Sequence, residues 1–458
     1  MIAWVAALGV VLGVLLTPPL GVLFALVVSS LAARRMVLLV LCSCALLGAM
    51  RMQGASSTDA VVDALTSSVA VCDVQAEVTN IVNPTGKVVA IQRIACLGRW
   101  MDVDALAVLQ GLEVSPGARV EGAARFIPLG SDVWATIARR LGAQTKLSAI
   151  DLTVTQEPTG LQAMARAARA TMKEATASLA PATGALLRGL TIGDTEGMPA
   201  DDEESLRRAG LTHLVAVSGS NVAIVLGALL LLTRRAGPMI GTSIALAGLF
   251  LYVLIVGPEP SVLRAGVMGT IGCFAAVFGR RAEPLAALGA AVAIVLLLQP
   301  WLLWSAGLHL SVAATLGIVL WAAEIAERVP GPRSLALALG VTCAAQLAVA
   351  PNLIATFGSI SVAGVAANLL AAPAVPIATI AGSIGGLVSA VSLPVGRLVM
   401  VPAGLATAWI AQMGRFFGGL PWAEADLPLG AGIVLAAGLV VPVLLAARAQ
   451  LQRKPGYP

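Results

Sequence analysis

The sequence predicts an all-α polytopic membrane protein, of about twelve transmembrane helices, with one small β domain inserted near its start. Two observations predict the helical part. Of the 458 residues, 58% are hydrophobic and only 12% are charged, a balance that soluble domains of this size do not show. The apolar runs are also unbroken, and longer than the alternating segments of about ten residues that build a membrane barrel. A third observation, an abrupt change of pattern near residue 56, predicts the β insertion. The 47 glycines let helices approach closely, and aromatics are sparse at 4%, so the bundle is expected to be tight.

Residues 1–50 hold three apolar runs, near 2–16, 20–33 and 36–50. The first lacks a basic start and two more follow it, so it is read as a retained helix and not a cleaved leader. Residues 56–157 then carry short β-patterned pieces such as "SVAVCDVQAEVTNIV" and "KVVAIQRIACL". Turn signals at Asn83-Pro84-Thr85-Gly86 and Ser115-Pro116-Gly117 separate them. Strands spaced in this way predict a small barrel or sandwich. The segment has 8 basic and 11 acidic residues, net −3, which does not favour a strong nucleic-acid binder. Cys72 and Cys96 are equidistant from Pro84, so a hairpin centred there pairs them directly. If the domain lies outside the cytoplasm, that pair is expected to form a disulfide. Cys42, Cys44, Cys273 and Cys343 lie in apolar runs, where a buried thiol acts as a small hydrophobe.

Residues 161–212 are read as amphipathic or interfacial helices. In "LQAMARAARATMKEATAS" (161–178), Arg166, Arg169 and Lys173 share one helical face. That face is either a solvated basic stripe at the membrane surface or a rim that gathers phosphates. Nine apolar runs follow within a 213–447 helical domain: 214–232, 238–256, 262–279, 284–299, 302–323, 335–351, 359–390, 398–416 and 429–447. The seventh contains Pro373 and Pro376 and is expected to be broken. Arg34/Arg35, Arg234/Arg235, Arg280/Arg281, Arg328/Arg333 and Arg448/Arg453/Lys454 all fall on one side of this arrangement. Glu259, Glu424 and Asp426 fall on the other. Basic residues collect in cytoplasmic loops. Both termini, including a 448–458 tail, are therefore expected in the cytoplasm, with the β domain outside a multi-pass cytoplasmic membrane protein. The same rule accounts for most of the net charge of +5.

Enzyme signatures are missing. Val217-Ser218-Gly219-Ser220 is not the G-x-S-x-G elbow of serine hydrolases, and the chain has two histidines, His213 and His309. No H-E-x-x-H, paired C-x-x-C or phosphate-binding G-x-x-x-x-G-K-[ST] occurs. The sequence therefore predicts no catalytic residue, no metal and no cofactor. What it does contain is polar residues inside apolar runs: Ser218, Ser220 and Asn221, then Arg264, then His309 and Ser311, then Gln346 beside Asn352, then Asn368. Taken singly, each has an ordinary explanation, as a hydroxyl or amide bonded to a helix turn or a cation reaching the surface. Spread over five runs, they suggest the lining of a hydrated path. Gly219, Gly266 and Gly269 would permit close backbone approach there.

"GLTHLVAVSGSNVAIV" (210–225) resembles the signature of the ComEC competence-protein family. Four further pieces match in order: "LLRGLTIGD" (186–194), "PSVLRAGVMG" (260–269), "QPWLLWSAGLHLSVAATLGI" (299–318) and "AQLAVAPNLIATFGSISVAGVAANLLAAP" (345–373). The resemblance implies a channel that carries one strand of incoming DNA across the cytoplasmic membrane during natural transformation. It also implies that the 56–157 domain is OB-like. His213, Ser218, Gly219, Arg264, His309, Ser311, Gln346 and Asn368 fall on the family's patterned positions.

Two departures accompany it. Asn221 stands where many members have a histidine. No HxHxDH-type cluster is present either, so this form is expected to lack the metallo-β-lactamase-like domain of many relatives, and not to be a nuclease by itself. The mechanism expected is passive conduction of single-stranded DNA through the bilayer. A DNA receptor would hand the strand over, with Arg166, Arg169 and Lys173 gathering phosphates. A cytoplasmic translocase or single-strand-binding protein would supply the pull. The rival readings are a secondary transporter of a small solute, an intramembrane hydrolase using His213 and Ser218, and an assembly scaffold.

Overall fold

The structure, a computed structural model, describes residues 59–428 apart from 80–86, 97, 113, 115–116, 131–142, 158, 216, 300–301 and 303–304. The expected spans within 1–50 and at 429–447, the tail, Cys42, Cys44 and the Asn83–Gly86 turn lie outside the described residues. The chain divides into two compact units. One holds the β domain and the chain up to Ala170, and the other most of the helices from Thr171 onward.

The first unit is built on alternation. β1 (Val71–Val78) buries every second residue. β2 (Lys87–Cys96), β3 (Arg99–Gln110), β4 (Arg119–Pro128) and β5 (Ala143–Gln156) join it in a closed barrel of order β1-β2-β3-β5-β4. All neighbours are antiparallel except β3 and β5. Val74, Val89, Ile91, Ile94, Phe126 and Leu147 fill the interior. α1 (Asp59–Ser67) adds Val62 to that core.

Cys72 and Cys96 form a disulfide with Cα atoms 4.8 Å apart. The register that brings them together is not that of a uniform hairpin. Val78 pairs with Val89 and Ala76 with Ile91, whereas past a bulge Gln75 pairs with Arg93 and Asp73 with Ala95. The extra residue, Gln92, moves the centre of symmetry onto Pro84. The bridge closes a loop with a sequence separation of 24. By chain entropy such a loop is worth about 3 kcal/mol, roughly a hundredfold in the opened population. Reduction is therefore expected to raise the rate of proteolytic cleavage within the barrel steeply. An unchanged rate would contradict this account.

Beyond the barrel the helices follow the apolar runs. α2 (Gly160–Thr176) is the amphipathic helix. α3 (Pro181–Ile192) departs from the interfacial reading: every residue from Gly184 to Ile192 is buried, so it is a core helix. α4 (Ala200–Arg208) and the short α5 (Thr212–Val215) follow. Then come α6 (Gly219–Thr233), α7 (Pro238–Val256), α8 (Pro260–Val277), α9 (Pro284–Leu298), α10 (Ala306–Arg328) and α11 (Arg333–Phe357). Three of these begin at a proline, whose fixed φ and missing N–H suit a first helical position.

The seventh run is broken as expected. α12 (Gly364–Ala371) and α13 (Ala374–Ser389) meet at 48° across Ala372-Pro373, with Pro376 accommodated in the first turn of α13. A second break was not foreseen. α14 (Leu393–Val399) and α15 (Val401–Gly418) meet at 51°, where a single span was expected. Among the described residues five helices are long and apolar enough to cross a membrane, and up to seven spans result if each bent pair counts as one. Leu232 and Leu387, 81% and 72% exposed, are among the large apolar side chains that stay exposed. The core of the unit lies between α3, α5, α12, α13 and α15, around Leu186, Leu190, Leu211, Ala367, Ala378 and Ile410.

Two short strands, β6 (Ser359–Ser361) and β7 (Glu424–Asp426), pair antiparallel and bring the ends of α11 and α15 together. Arg207 clasps them, with Nη2 2.8 Å from Glu424 and from Glu204. The Ser359 hydroxyl also donates to Glu424. The Arg207 hydrogen bond, aided by that of Ser359, holds the Glu424 carboxyl below its ordinary range, and Arg207 does the same for Glu204. A carboxylate lowered by folding stabilises above its unfolded pKa of about 4.3 and loses that contribution as the pH falls through the folded value. The partners are partly exposed, so the effect is at most about 1 kcal/mol. Acidification to that range should lower the unfolding midpoint of the wild type more than that of Arg207→Ala. Equal acid sensitivity would show that the clasp is idle.

Candidate functional site

The stretch at 213–221 is neither helix nor strand at its centre. α5 ends at Val215, α6 starts at Gly219, and the link between them runs past α3 and α8. On the α3 side, Gly189 faces the Val215 carbonyl so closely that a Cβ there would lie 1.9 Å from the oxygen. The Asn221 amide, fully buried, donates to the Leu190 carbonyl at 3.0 Å. On the α8 side, the Ser261 hydroxyl donates to the Val217 carbonyl at 3.1 Å. The link is thus held from both sides, beside the polar side chains of Ser218, Ser220 and Asn221.

Those side chains gather at the start of α6. The hydroxyls of Ser218 and Ser220 lie 2.6 Å apart, and Ser218 also donates to the Asn221 Oδ1 at 3.3 Å. No side chain caps the helix. Arg264 comes up from the second turn of α8 and is 6% exposed. Its Nε donates to the Ser311 hydroxyl of α10 at 2.9 Å, and its Nη1 lies 3.2 Å from the Met268 sulfur. Its Nη2 lies against Gly219. Among the described residues no carboxylate forms an ion pair with it. A buried guanidinium with only neutral partners is costly, and an apolar helix bundle makes it more so.

The segment that carries this cluster is matched by comparison with known proteins. A family model described as competence protein matches residues 190–452. The chain belongs to the competence protein family. It is 30% identical over 197 residues to ComE operon protein 3 of Bacillus subtilis (strain 168), an alignment covering 43% of this chain. The aligned part is 25% of that relative's length. No solved structure matches.

Within this competence-family segment, the sequence-predicted residues divide. Ser218, Gly219, Asn221, Arg264 and Ser311 form one connected cluster, with Ser220 at its exposed edge. His213 precedes it on α5 and is exposed, as is His309 on α10. Gln346 serves elsewhere, donating to the Ser361 carbonyl at 3.1 Å and so holding β6. Asn368 is half-buried on α12. Among the described residues no group of His, Cys, Asp and Glu could hold a metal ion.

The three cations of α2 each have a partner within the chain. Arg166 pairs with Glu157 at 2.6 Å, Arg169 donates to the Ile255 carbonyl at 2.6 Å, and Lys173 pairs with Glu196 at 2.7 Å. The shared face exists, but its charges are engaged. Sequence reasoning missed Arg188, which is buried in α3 and binds Asp194 at 3.1 Å, Thr176 at 3.2 Å and the Glu196 carbonyl. The signal was present: a lone Arg inside the apolar "LLRGLTIGD", with an Asp six residues on. Ser261 and Gly189 were missed as well, because a serine or glycine in an apolar run carries no mark of its partner.

Proposed function

We propose that this protein conducts single-stranded DNA across the cytoplasmic membrane during competence. The observation that carries the reading is Arg264: a buried cation with no acid paired to it among the described residues, at an uncapped helix start lined by hydroxyls, in a chain of the competence family. A polyanion passing this point would supply the missing charge transiently. Hydroxyls and an amide around one cation suit a strand that must slide and not stick. The path runs past Ser218, Ser220, Asn221, Arg264 and Ser311, with His213, His309, Gln346 and Asn368 as further polar positions.

The remaining parts follow the same reading. The barrel is an OB-like domain on the outer side: five strands, closed, with mixed pairing. Arg234/Arg235, Arg280/Arg281 and Arg328/Arg333 mark cytoplasmic connections, both termini are cytoplasmic, and the spans total about twelve. The protein is not an enzyme. An external receptor delivers the strand, and a cytoplasmic translocase or single-strand-binding protein draws it in.

The test is uptake of labelled DNA into a nuclease-protected form, in cells lacking the gene and complemented with wild type or Arg264→Ala. Deletion should abolish uptake, wild type should restore it, and Arg264→Ala at normal protein level should restore less than about a tenth, the loss expected when a charged hydrogen bond is removed. Normal uptake in the deletion strain would end the reading. A second reading, a secondary transporter of a small solute, draws on the two bent helix pairs, since broken spans form midplane sites in such proteins. It predicts that the deletion leaves DNA uptake intact.

A further inference from the structure

We infer that the start of α6 is a binding subsite for one phosphodiester group. The inference rests on the conduit reading only for the identity of the polymer that carries the phosphate. Three features of the cluster converge on an oxyanion. The first is the open helix end. The Ser218 carbonyl takes the N–H groups of Asn221 and Val222, so those of Gly219 and Ser220 are left without a backbone partner among the described residues. The N-terminus of a helix of fifteen residues presents these donors with the positive end of its dipole.

The second feature is independent of the first. Arg264 is 94% buried and its fork is aimed at that same end: a Cβ on Gly219 would lie 2.5 Å from Nη2. Nε and Nη1 are spent on Ser311 and Met268, which fix the guanidinium plane. Nη2 is left with no hydrogen-bond partner among the described residues. The third feature is convergence. α8 begins at Pro260, and α10 begins near it, with Gly307 beside the Pro260 ring, so the starts of α6, α8 and α10 lie at one end of the unit. One full positive charge and aligned dipoles match a monoanion, which a phosphodiester is at neutral pH.

The ligand reaches the site from the Ser220 side, since Ser220 is exposed while Ser218 and Gly219 are half-buried. Gly219 is what lets the phosphate approach. A methyl group there would displace the Arg264 fork while leaving its charge in place. A phospholipid headgroup offers the same chemistry. Arg264 lies among α6, α8 and α10 and not on a lipid-facing surface, which favours a nucleic-acid backbone.

The experiment is binding of a fluorescent short thymidylate oligonucleotide to the full-length protein in lipid nanodiscs. Wild type, Arg264→Gln and Gly219→Ala are compared, each first checked for an unchanged thermal unfolding midpoint. A methylphosphonate oligonucleotide of the same length serves as the uncharged control. Both variants should bind the phosphodiester about tenfold more weakly, the scale of one charge-assisted hydrogen bond, and the control should not distinguish them from wild type. Equal binding by all three proteins would overturn the subsite. The comparison is repeated in nanodiscs of a phosphate-free glycolipid. Dependence on Arg264 that appears only there would assign the site to a headgroup and overturn the nucleic-acid occupant. The conduit reading fails separately. Unchanged oligonucleotide affinity with lost uptake removes the subsite and keeps the conduit. Weakened affinity of the variants with normal uptake in the deletion strain keeps the subsite and removes the conduit.

Discussion

Gly189→Ala is expected to leave almost no folded protein in the membrane. The added methyl carbon would lie 1.9 Å from the Val215 oxygen and 3.0 Å from its carbonyl carbon. Both are backbone atoms, so no side chain can turn aside. Val215 ends α5 and leads into the link whose position decides where Ser218 and Asn221 fall, and Leu190, the next residue of α3, receives the Asn221 amide. Separating α3 from the link therefore also breaks a hydrogen bond of a fully buried amide. Overpacking of this kind costs about 3 kcal/mol or more, and the stranded amide adds to it. The measurement is the amount of protein in the membrane fraction, together with its thermal unfolding in detergent. Gly227→Ala, a position on α6 with nothing within 4 Å of the new atom, is the control and should accumulate normally or slightly better. If Gly189→Ala matches that control, α3 does not template the site.

Gly340→Leu is expected to separate α10 from α11. A Cβ at Gly340 already meets the Ala322 oxygen at 2.3 Å, and one at Gly317 meets the Ala344 oxygen at 2.6 Å and the Ala348 Cβ at 2.4 Å. The two backbones touch through small residues on both helices. Water gives no push between helices inside a bilayer, so such contact is a main source of their attraction. A leucine here removes that contact and inserts a volume the pair cannot hold. Protease sensitivity of the 329–332 connection should rise sharply, and membrane accumulation should fall. Ser311, which steadies Arg264, lies less than two turns from Gly317 on α10. DNA uptake should fall with the fold, more steeply than protein level alone explains. Wild-type protease resistance would count against the packing account.

The helices were legible because apolar runs mark them one at a time, though α9, expected as a span, is only a shorter apolar helix. Pro373 marked the first break. The second, at Met400, escaped notice because the expected run 398–416 begins only two residues before it, and Pro402 suits an early helical position. α3 was grouped with the interfacial helices because the partners that let Arg188 be buried, Thr176 and Asp194, lie outside it. The basic face of α2 shows the same limit. Spacing placed Arg166, Arg169 and Lys173 together, but the Ile255 carbonyl that holds Arg169 is 86 residues away. The cluster around Arg264 was legible as residue types and not as a connected unit. Only folding joins position 264 to 219 and 311. The Cys72–Cys96 pair was anticipated from symmetry about Pro84, yet the bulge at Gln92 that makes the symmetry true left no sign in the sequence.

The pairing of β6 with β7 has a consequence for biogenesis. Ser361 leaves the ribosome before Glu424 by just over 60 residues, which at 5–20 residues per second is a delay of roughly 3–12 s. Until β7 arrives, α11 has entered the membrane with its far end untied, and both bent helix pairs must be inserted in that interval. This end of the molecule is therefore tied only after all four of those helices have been made. A ribosome stalled before residue 424 would hold the four helices α12–α15 as an open loop, and release would close it in a single noncovalent step.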